Sequence, residues 1–80
     1  MDNNEIRTKL YDIFDEFFEL DESDFTPELT ADEVGGWDSL NHIRLMLQVQ
    51  QAFGVNFTTG EIGDLMNVGE LIALVGAKAE

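Results

Sequence analysis

The sequence contains no cysteine, and this absence limits what the chain can do. Without cysteine the chain has no disulfide, no thiolate nucleophile and none of the usual zinc sites. Long apolar segments are also missing: the best run, residues 71–75, is far shorter than the roughly 20 residues that a membrane span needs. Any thiol chemistry must therefore be imported, and no membrane span is predicted.

Basic residues are scarce as well. Four Lys and Arg stand against 17 Asp and Glu, and the net charge is −13. Such a chain repels phosphates, so nucleic-acid binding is not expected, and the partners should be basic proteins or cations. The first five residues are acidic rather than basic, unlike the start of a secretory signal, so we expect a cytoplasmic protein.

A chain of 80 residues is long enough for one domain, and we expect a single monomeric domain over residues 1–80. Its hydrophobic content of 44% is sufficient for a folded core. A domain of this size has little room for a large substrate cavity, which argues against an enzyme.

The first half of the chain predicts one helix followed by a long loop. Residues 6–20 place apolar side chains on one helical arc and acids on the other, and Asp2 with Glu5 predicts a capping-box start. Residues 21–38 contain the single proline and predict a loop. Its apolar side chains suggest that it is pinned to the bundle: Phe25, Leu29, Val34 and Trp37.

The second half predicts three more helices. The central one runs from about Ser39 to Phe53 and stops at Gly54; it is apolar around most of its circumference. Its narrow polar stripe consists of Asn41, Arg44, Gln48 and Gln51. Capping signatures then predict a short helix, weakened by two glycines, and a last helix: Thr58 with Glu61, and Asn67 with Glu70. The expected fold is an all-α, antiparallel bundle of three main helices plus one short helix.

Ser39 stands at the entrance of the central helix, after a glycine-bearing loop. A group on its Oγ would lie at the positive end of the helix dipole, near backbone N–H groups that the helix does not use. Such a position suits a phosphodiester. The alternative is that Asp38 or Ser39 is only a helix N-cap.

The triplet Asp38-Ser39-Leu40 resembles the mark of the acyl carrier protein family at the start of its second helix. The resemblance extends through the hydrophobic register that follows: Ile43, Leu45, Met46, Leu47, Val49, Phe53, Phe57, Ile62, Leu65, Val68, Ile72 and Val75. It covers essentially the whole chain, although the first helix and the loop agree only in length and character.

The resemblance implies that Ser39 is esterified with 4′-phosphopantetheine, which a separate phosphopantetheinyl transferase takes from coenzyme A. The thiol of this arm would carry acyl or aminoacyl thioesters between loading and transfer enzymes of a fatty-acid, polyketide or related specialised pathway. Asp38 and Leu40 would help the transferase recognise the site. The chain itself would have no catalytic activity, and the imported thiol would account for the missing cysteine.

The central helix departs from the family pattern. Fatty-acid carriers usually carry acids along its exposed side, whereas residues 41–53 contain none, and Arg44 stands where an acid is common. We therefore expect a carrier dedicated to a separate acyl or aminoacyl pathway. The expected partner-binding residues are Asn41, Arg44, Leu47, Gln48 and Gln51.

Two other functions can be considered from the residues alone. His42 follows Ser39 by three positions and could form a hydrolase-like pair, but the Gly-x-Ser-x-Gly elbow is missing. A protein-interaction module without an arm would use the central helix as a docking face. The acidic residues 21–24 lack the glycine of an EF-hand loop, so no metal site is predicted beyond weak surface binding.

Overall fold

Four helices, joined by loops with two 3₁₀ turns, form the protein in a computed structural model that describes residues 2–79. Helix α1 spans Asn3–Phe18, α2 spans Ser39–Phe53, α3 spans Thr59–Asp64 and α4 spans Val68–Lys78; the 3₁₀ turns are Glu22–Asp24 and Ala31–Glu33. The predicted all-α bundle of three main helices plus a short one is confirmed. Within residues 2–79 no helix combines the length and apolar composition needed to cross a bilayer.

The bounds of α2 are those that the sequence predicts. The Asp38 side chain caps the helix by accepting the Asn41 N–H at 2.9 Å, which satisfies one of the free donors of the first turn. Gly54 ends the helix with φ 67°, a left-handed conformation that glycine adopts without a Cβ clash. The central helix is therefore fixed at both ends by local chemistry.

Helix α1 begins as predicted but ends earlier than residue 20. Asp2 caps its start by accepting the Glu5 N–H at 2.9 Å. At its end Glu19 takes a left-handed conformation, with φ 54°, and its N–H donates to the Asp15 carbonyl at 2.8 Å. The predicted end was wrong because the apolar pattern continues through Leu20, which packs on the core after the helix has stopped.

The two last helices start at the capping residues that the sequence indicates. Thr58 and Glu61 each accept the backbone N–H of the other, at 3.1 and 2.8 Å, and form a complete capping box for α3. Asn67 accepts the Glu70 N–H at 2.8 Å and caps α4. These caps set where both helices begin.

The long loop is fastened to α4 and to the core, as predicted. The Val68 N–H donates to the Leu29 carbonyl at 3.0 Å and the Gly69 N–H to the Pro27 carbonyl at 2.9 Å. The four apolar loop side chains that the sequence singles out are buried with the helix side chains in one core. Each such burial contributes about 1.5–3 kcal/mol, so the loop is a structural part of the bundle.

Helix α1 lies against both α2 and α4 and supplies the centre of the core. Phe14 is fully buried, and its ring meets those of Phe25 and Trp37 edge-on at centroid distances of 5.0 and 5.1 Å. Edge-to-face contacts of this kind stabilise an aromatic cluster beyond the area that it buries. The cluster holds Trp37 in place two residues before Ser39.

Candidate functional site

Ser39 is the first residue of α2, and its side chain is exposed. Asp38, directly before it, has extended backbone and uses its side chain to cap the helix. Because Asn41 and His42 donate to the side chain and carbonyl of Asp38, the first turn is well ordered. The Ser39 hydroxyl therefore stands in solvent at the positive end of the α2 dipole.

The turn before Ser39 is held by Asn41. Gly36 has φ 91°, which a residue with a side chain rarely adopts, and its carbonyl accepts a hydrogen bond from Asn41 Nδ2 at 2.7 Å. Asn41, expected on the partner-binding stripe, is half-buried and ties this turn to the helix. Its amide thus fixes the path by which the chain reaches Ser39.

An open groove of ≈ 630 Å³ lies beside Ser39, between α2 and α3. On one side it is lined by Trp37, His42 and Ile43, and on the other by α3 and the residues after it. Those residues are Thr59, Ile62, Gly63, Leu65 and Met66; Ala31, Asp32 and Asp38 complete the lining. Ser39 thus stands beside a mostly apolar groove, and acidic side chains lie at its loop end.

The imidazole of His42 crosses this groove. The Trp37 indole N–H donates to its Nδ1 at 2.9 Å, and its Nε2 lies 3.0 Å from the Ile62 carbonyl oxygen. From the sequence, His42 was considered as a hydrolase-like partner of Ser39, and neither of these contacts was predicted. The signal that could have indicated the contact is the tryptophan five residues before it, but its second partner, on α3, gives no sequence signal.

The outer face of α2 is apolar as well as polar. Leu40, Ile43 and Leu47 are 61%, 53% and 55% exposed, and Met66 beyond α3 is 69% exposed. Arg44, Gln48 and Gln51, predicted to bind partners, are also exposed. The structure thus places four of the five predicted partner-binding residues on the solvent side, beside large apolar side chains.

Comparison with known proteins identifies what this chain is similar to. The family model described as "Phosphopantetheine attachment site" matches residues 8–75. An acyl carrier protein from Rubrobacter xylanophilus is 32% identical over 75 residues, which cover 94% of this chain and 93% of the relative. The solution NMR structure of a holo acyl carrier protein from Geobacter metallireducens superposes with a TM-score of 0.81 and 34% identity, covering 91% of this chain and 84% of that one.

Proposed function

Because the chain belongs to the acyl carrier protein family, whose members carry covalent 4′-phosphopantetheine, we propose that Ser39 is the residue that bears this arm. The observation that carries the proposal is the exposed Ser39 hydroxyl at the capped start of α2, beside an open groove. The site fits the group, since a phosphodiester on Oγ would meet the positive end of the helix dipole. The arm supplies the thiol that the chain lacks, and this thiol carries acyl or aminoacyl groups as thioesters.

Attachment requires a separate phosphopantetheinyl transferase. Ser39 Oγ forms the new oxygen–phosphorus bond as the phosphoanhydride bond of coenzyme A breaks; adenosine 3′,5′-bisphosphate is the leaving group, and the hydroxyl proton passes to a base. The Asp38 carboxylate accepts the Asn41 N–H at the start of α2, and protonating it would weaken this helix cap. We therefore assign the general base to the transferase, and give Asp38 and exposed Leu40 the role of orienting Ser39 for it.

The same geometry supports a carrier without catalytic activity of its own. A hydrolase would need a His42 nitrogen directed at the Ser39 hydroxyl. Both ring nitrogens of His42 are instead bonded to Trp37 and to the Ile62 carbonyl. We propose that residues 1–80 act as one monomeric carrier domain in the cytoplasm.

Serine variants test the attachment site. The chain has only one other serine, Ser23, which is an exposed residue of a 3₁₀ turn and serves as the matched control. After incubation with coenzyme A and a broad-specificity transferase, intact mass should show one added arm on the wild type and on Ser23→Ala, and none on Ser39→Ala. Circular dichroism should be the same for all three. Loading of Ser39→Ala would overturn the assignment.

The outer face of α2 supports a proposal about partners. Every enzyme that works on the arm must approach Ser39, and there it meets Leu40, Ile43 and Leu47 with Arg44 among neutral amides. The stretch from Asn41 to Phe53 contains no acid. Charge complementarity therefore favours an enzyme with an apolar patch and an acidic residue facing Arg44, which suits a carrier of a specialised acyl or aminoacyl pathway.

Arg44→Glu tests this surface. Because charges at an interface rim act mainly on association rate and on rejection of wrong partners, the variant should lower transfer by the cognate enzyme and improve docking to the basic patch of a fatty-acid synthase enzyme. Lys9→Glu makes the same change in net charge on α1 and should leave both rates unchanged. Equal rates for Arg44→Glu and the wild type with both enzymes would exclude Arg44 from recognition.

A further inference from the structure

His42 is held by two hydrogen bonds that define its protonation state. The Ile62 carbonyl oxygen can only accept, so Nε2 must carry a hydrogen, while Nδ1 accepts the Trp37 indole N–H and must be bare. The imidazole is therefore neutral, in the Nε2–H tautomer. Its ring lies beside that of Trp37, with the centroids 5.9 Å apart and the planes inclined by 28°.

Helix α3 has few other contacts that could hold it. It is six residues long, contains Gly60 and Gly63, and buries none of its side chains fully. Its other side-chain tie is the ion pair between Glu61 and Lys78 at 3.0 Å, which joins it to α4 and is partly exposed. An exposed pair of this kind adds little stability. Ile62 also packs against the core, and in the described residues the His42–Ile62 bond is the hydrogen bond from an α2 side chain to α3.

This tie spans the groove beside Ser39. Ser39, His42 and Ile43 line one side of the groove, while Ile62 and Met66 line the other. We propose that His42 is a positioning residue, a neutral-imidazole latch that holds α3 against the first turn of α2 and sets the width of this groove. A hydrocarbon attached at Ser39 could pass between α2 and α3 only after the His42–Ile62 bond had broken.

The consequence for cargo rests on the proposed attachment at Ser39, but the latch itself can be tested on protein without an arm. Nitrogen-15 NMR of the His42 ring should report the neutral Nε2–H tautomer. The Nδ1–H tautomer would overturn the proposal, and this measurement requires no variant. Ser39→Ala should give the same spectrum, so failure of attachment at Ser39 and failure of the latch are separate results.

Substitutions then test whether the latch positions α3. His42→Phe keeps an aromatic ring beside Trp37 but neither hydrogen bond, so the Ile62 amide, which donates to the carbonyl of the α3 N-cap Thr58, should exchange about fivefold faster. Amides of α1 and α4 should keep their rates. His42→Gln, which can both accept and donate, should restore part of the protection.

Lys78→Gln is the control, because it releases the tie between α3 and α4 but leaves the groove side intact. It should not alter Trp37 fluorescence, whereas His42→Phe should shift it. Unchanged exchange in α3 of His42→Phe, or an equal loss of protection in α1 and α4, would show that His42 only packs in the core.

Discussion

At the scale of single residues, Glu19 carries the clearest backbone strain. It is the one residue other than glycine with a positive φ in residues 2–79, and it ends α1 in the left-handed region. A residue with a side chain costs about 1–2 kcal/mol in this conformation, and glycine removes that cost. Glycine also makes the unfolded chain more flexible, which offsets part of the gain. Glu19→Gly should therefore raise the free energy of unfolding by about 0.5–1 kcal/mol.

Glu19→Gln is the matched control, since it removes the same charge but keeps the side chain. Urea unfolding followed by circular dichroism should show a clear gain for Glu19→Gly and a smaller one for Glu19→Gln. An equal gain in both variants would mean that charge, and not backbone conformation, limits stability at this position.

For single residues, the sequence predicts the contacts that are made with residues nearby in the chain. The caps by Asp2, Asp38 and Thr58 are predictable because the donor of each hydrogen bond lies three residues away. The role of His42 is not, because its Ile62 partner is 20 residues further on and is a backbone carbonyl. A backbone acceptor leaves no mark in the sequence.

At the scale of elements, α3 is weakened by its glycines, and Gly63 offers a test. A Cβ built at Gly63 meets no atom within 4 Å, and its φ is not positive. Since alanine is better than glycine in a helix by about 0.5–1 kcal/mol, Gly63→Ala should slow hydrogen exchange within α3 about two- to fivefold.

Gly69 in α4 gives the opposite expectation. A Cβ there would lie 3.2 Å from both Cβ and the carbonyl oxygen of Pro27, whose ring is rigid. Gly69→Ala should cost about 1–3 kcal/mol by forcing the loop away from α4. If Gly63→Ala and Gly69→Ala changed the midpoint of unfolding in the same direction, the close approach of Pro27 would not be the reason for glycine at position 69.

The capping box of α3 should also depend on pH. Hydrogen bonds from the Thr58 N–H and from the Lys78 ammonium lower the pKa of Glu61 from its usual 4.5. A lowered folded-state pKa means that the stabilisation is complete above pH 4.5 and is lost as the pH falls below it. NMR of α3 amides should show this helix fraying in that window, and Glu61→Gln should weaken the transition. Full protection of α3 throughout the acid range would contradict the assignment.

The ends of the helices are predicted reliably by capping residues and less reliably by the apolar pattern. Those of α2 are predicted because Asp38 and Gly54 each suit only an end of a helix. The end of α1 is not, because Leu20 continues the apolar pattern after the helix has ended and Glu19 gives no sign of a left-handed residue. A pattern of burial reports which side chains face the core, and not which backbone conformation brings them there.

At the scale of the whole molecule, the charge is the dominant feature. The chain has 17 acidic and four basic residues. In residues 2–79 the ion pair that forms is Lys78–Glu61. Like charges on so small a domain repel one another in the folded state. Salt and divalent cations screen this repulsion.

The melting temperature should therefore rise with ionic strength, by about 4–8 °C for each kcal/mol of repulsion removed. A small decrease in pH from neutrality should act in the same direction, before the loss of the α3 cap described above. Differential scanning calorimetry between low and moderate salt measures the effect. A constant melting temperature would show that the acids are too far apart to matter.

Charge and the number of helices can be predicted from the sequence, but the groove beside Ser39 cannot. It lies where α3 packs beside α2, across which His42 contacts the Ile62 carbonyl, and its exposed apolar residues have the same pattern in the sequence as core residues. Ile43, predicted only as part of the apolar register of α2, proves to be on the solvent side, next to Leu47, which was predicted to bind partners. Which apolar side chains remain uncovered is decided by how the helices pack.

Peptide mass mapping of the loaded wild-type protein shows which residue carries the arm. The protein is incubated with an acyl-coenzyme A and a broad-specificity phosphopantetheinyl transferase, digested, and fragmented. We expect one acyl-phosphopantetheinyl group, located on Ser39 and on no other serine or threonine. A group found on Ser23 or on a threonine, or a protein that is never loaded, would contradict this expectation.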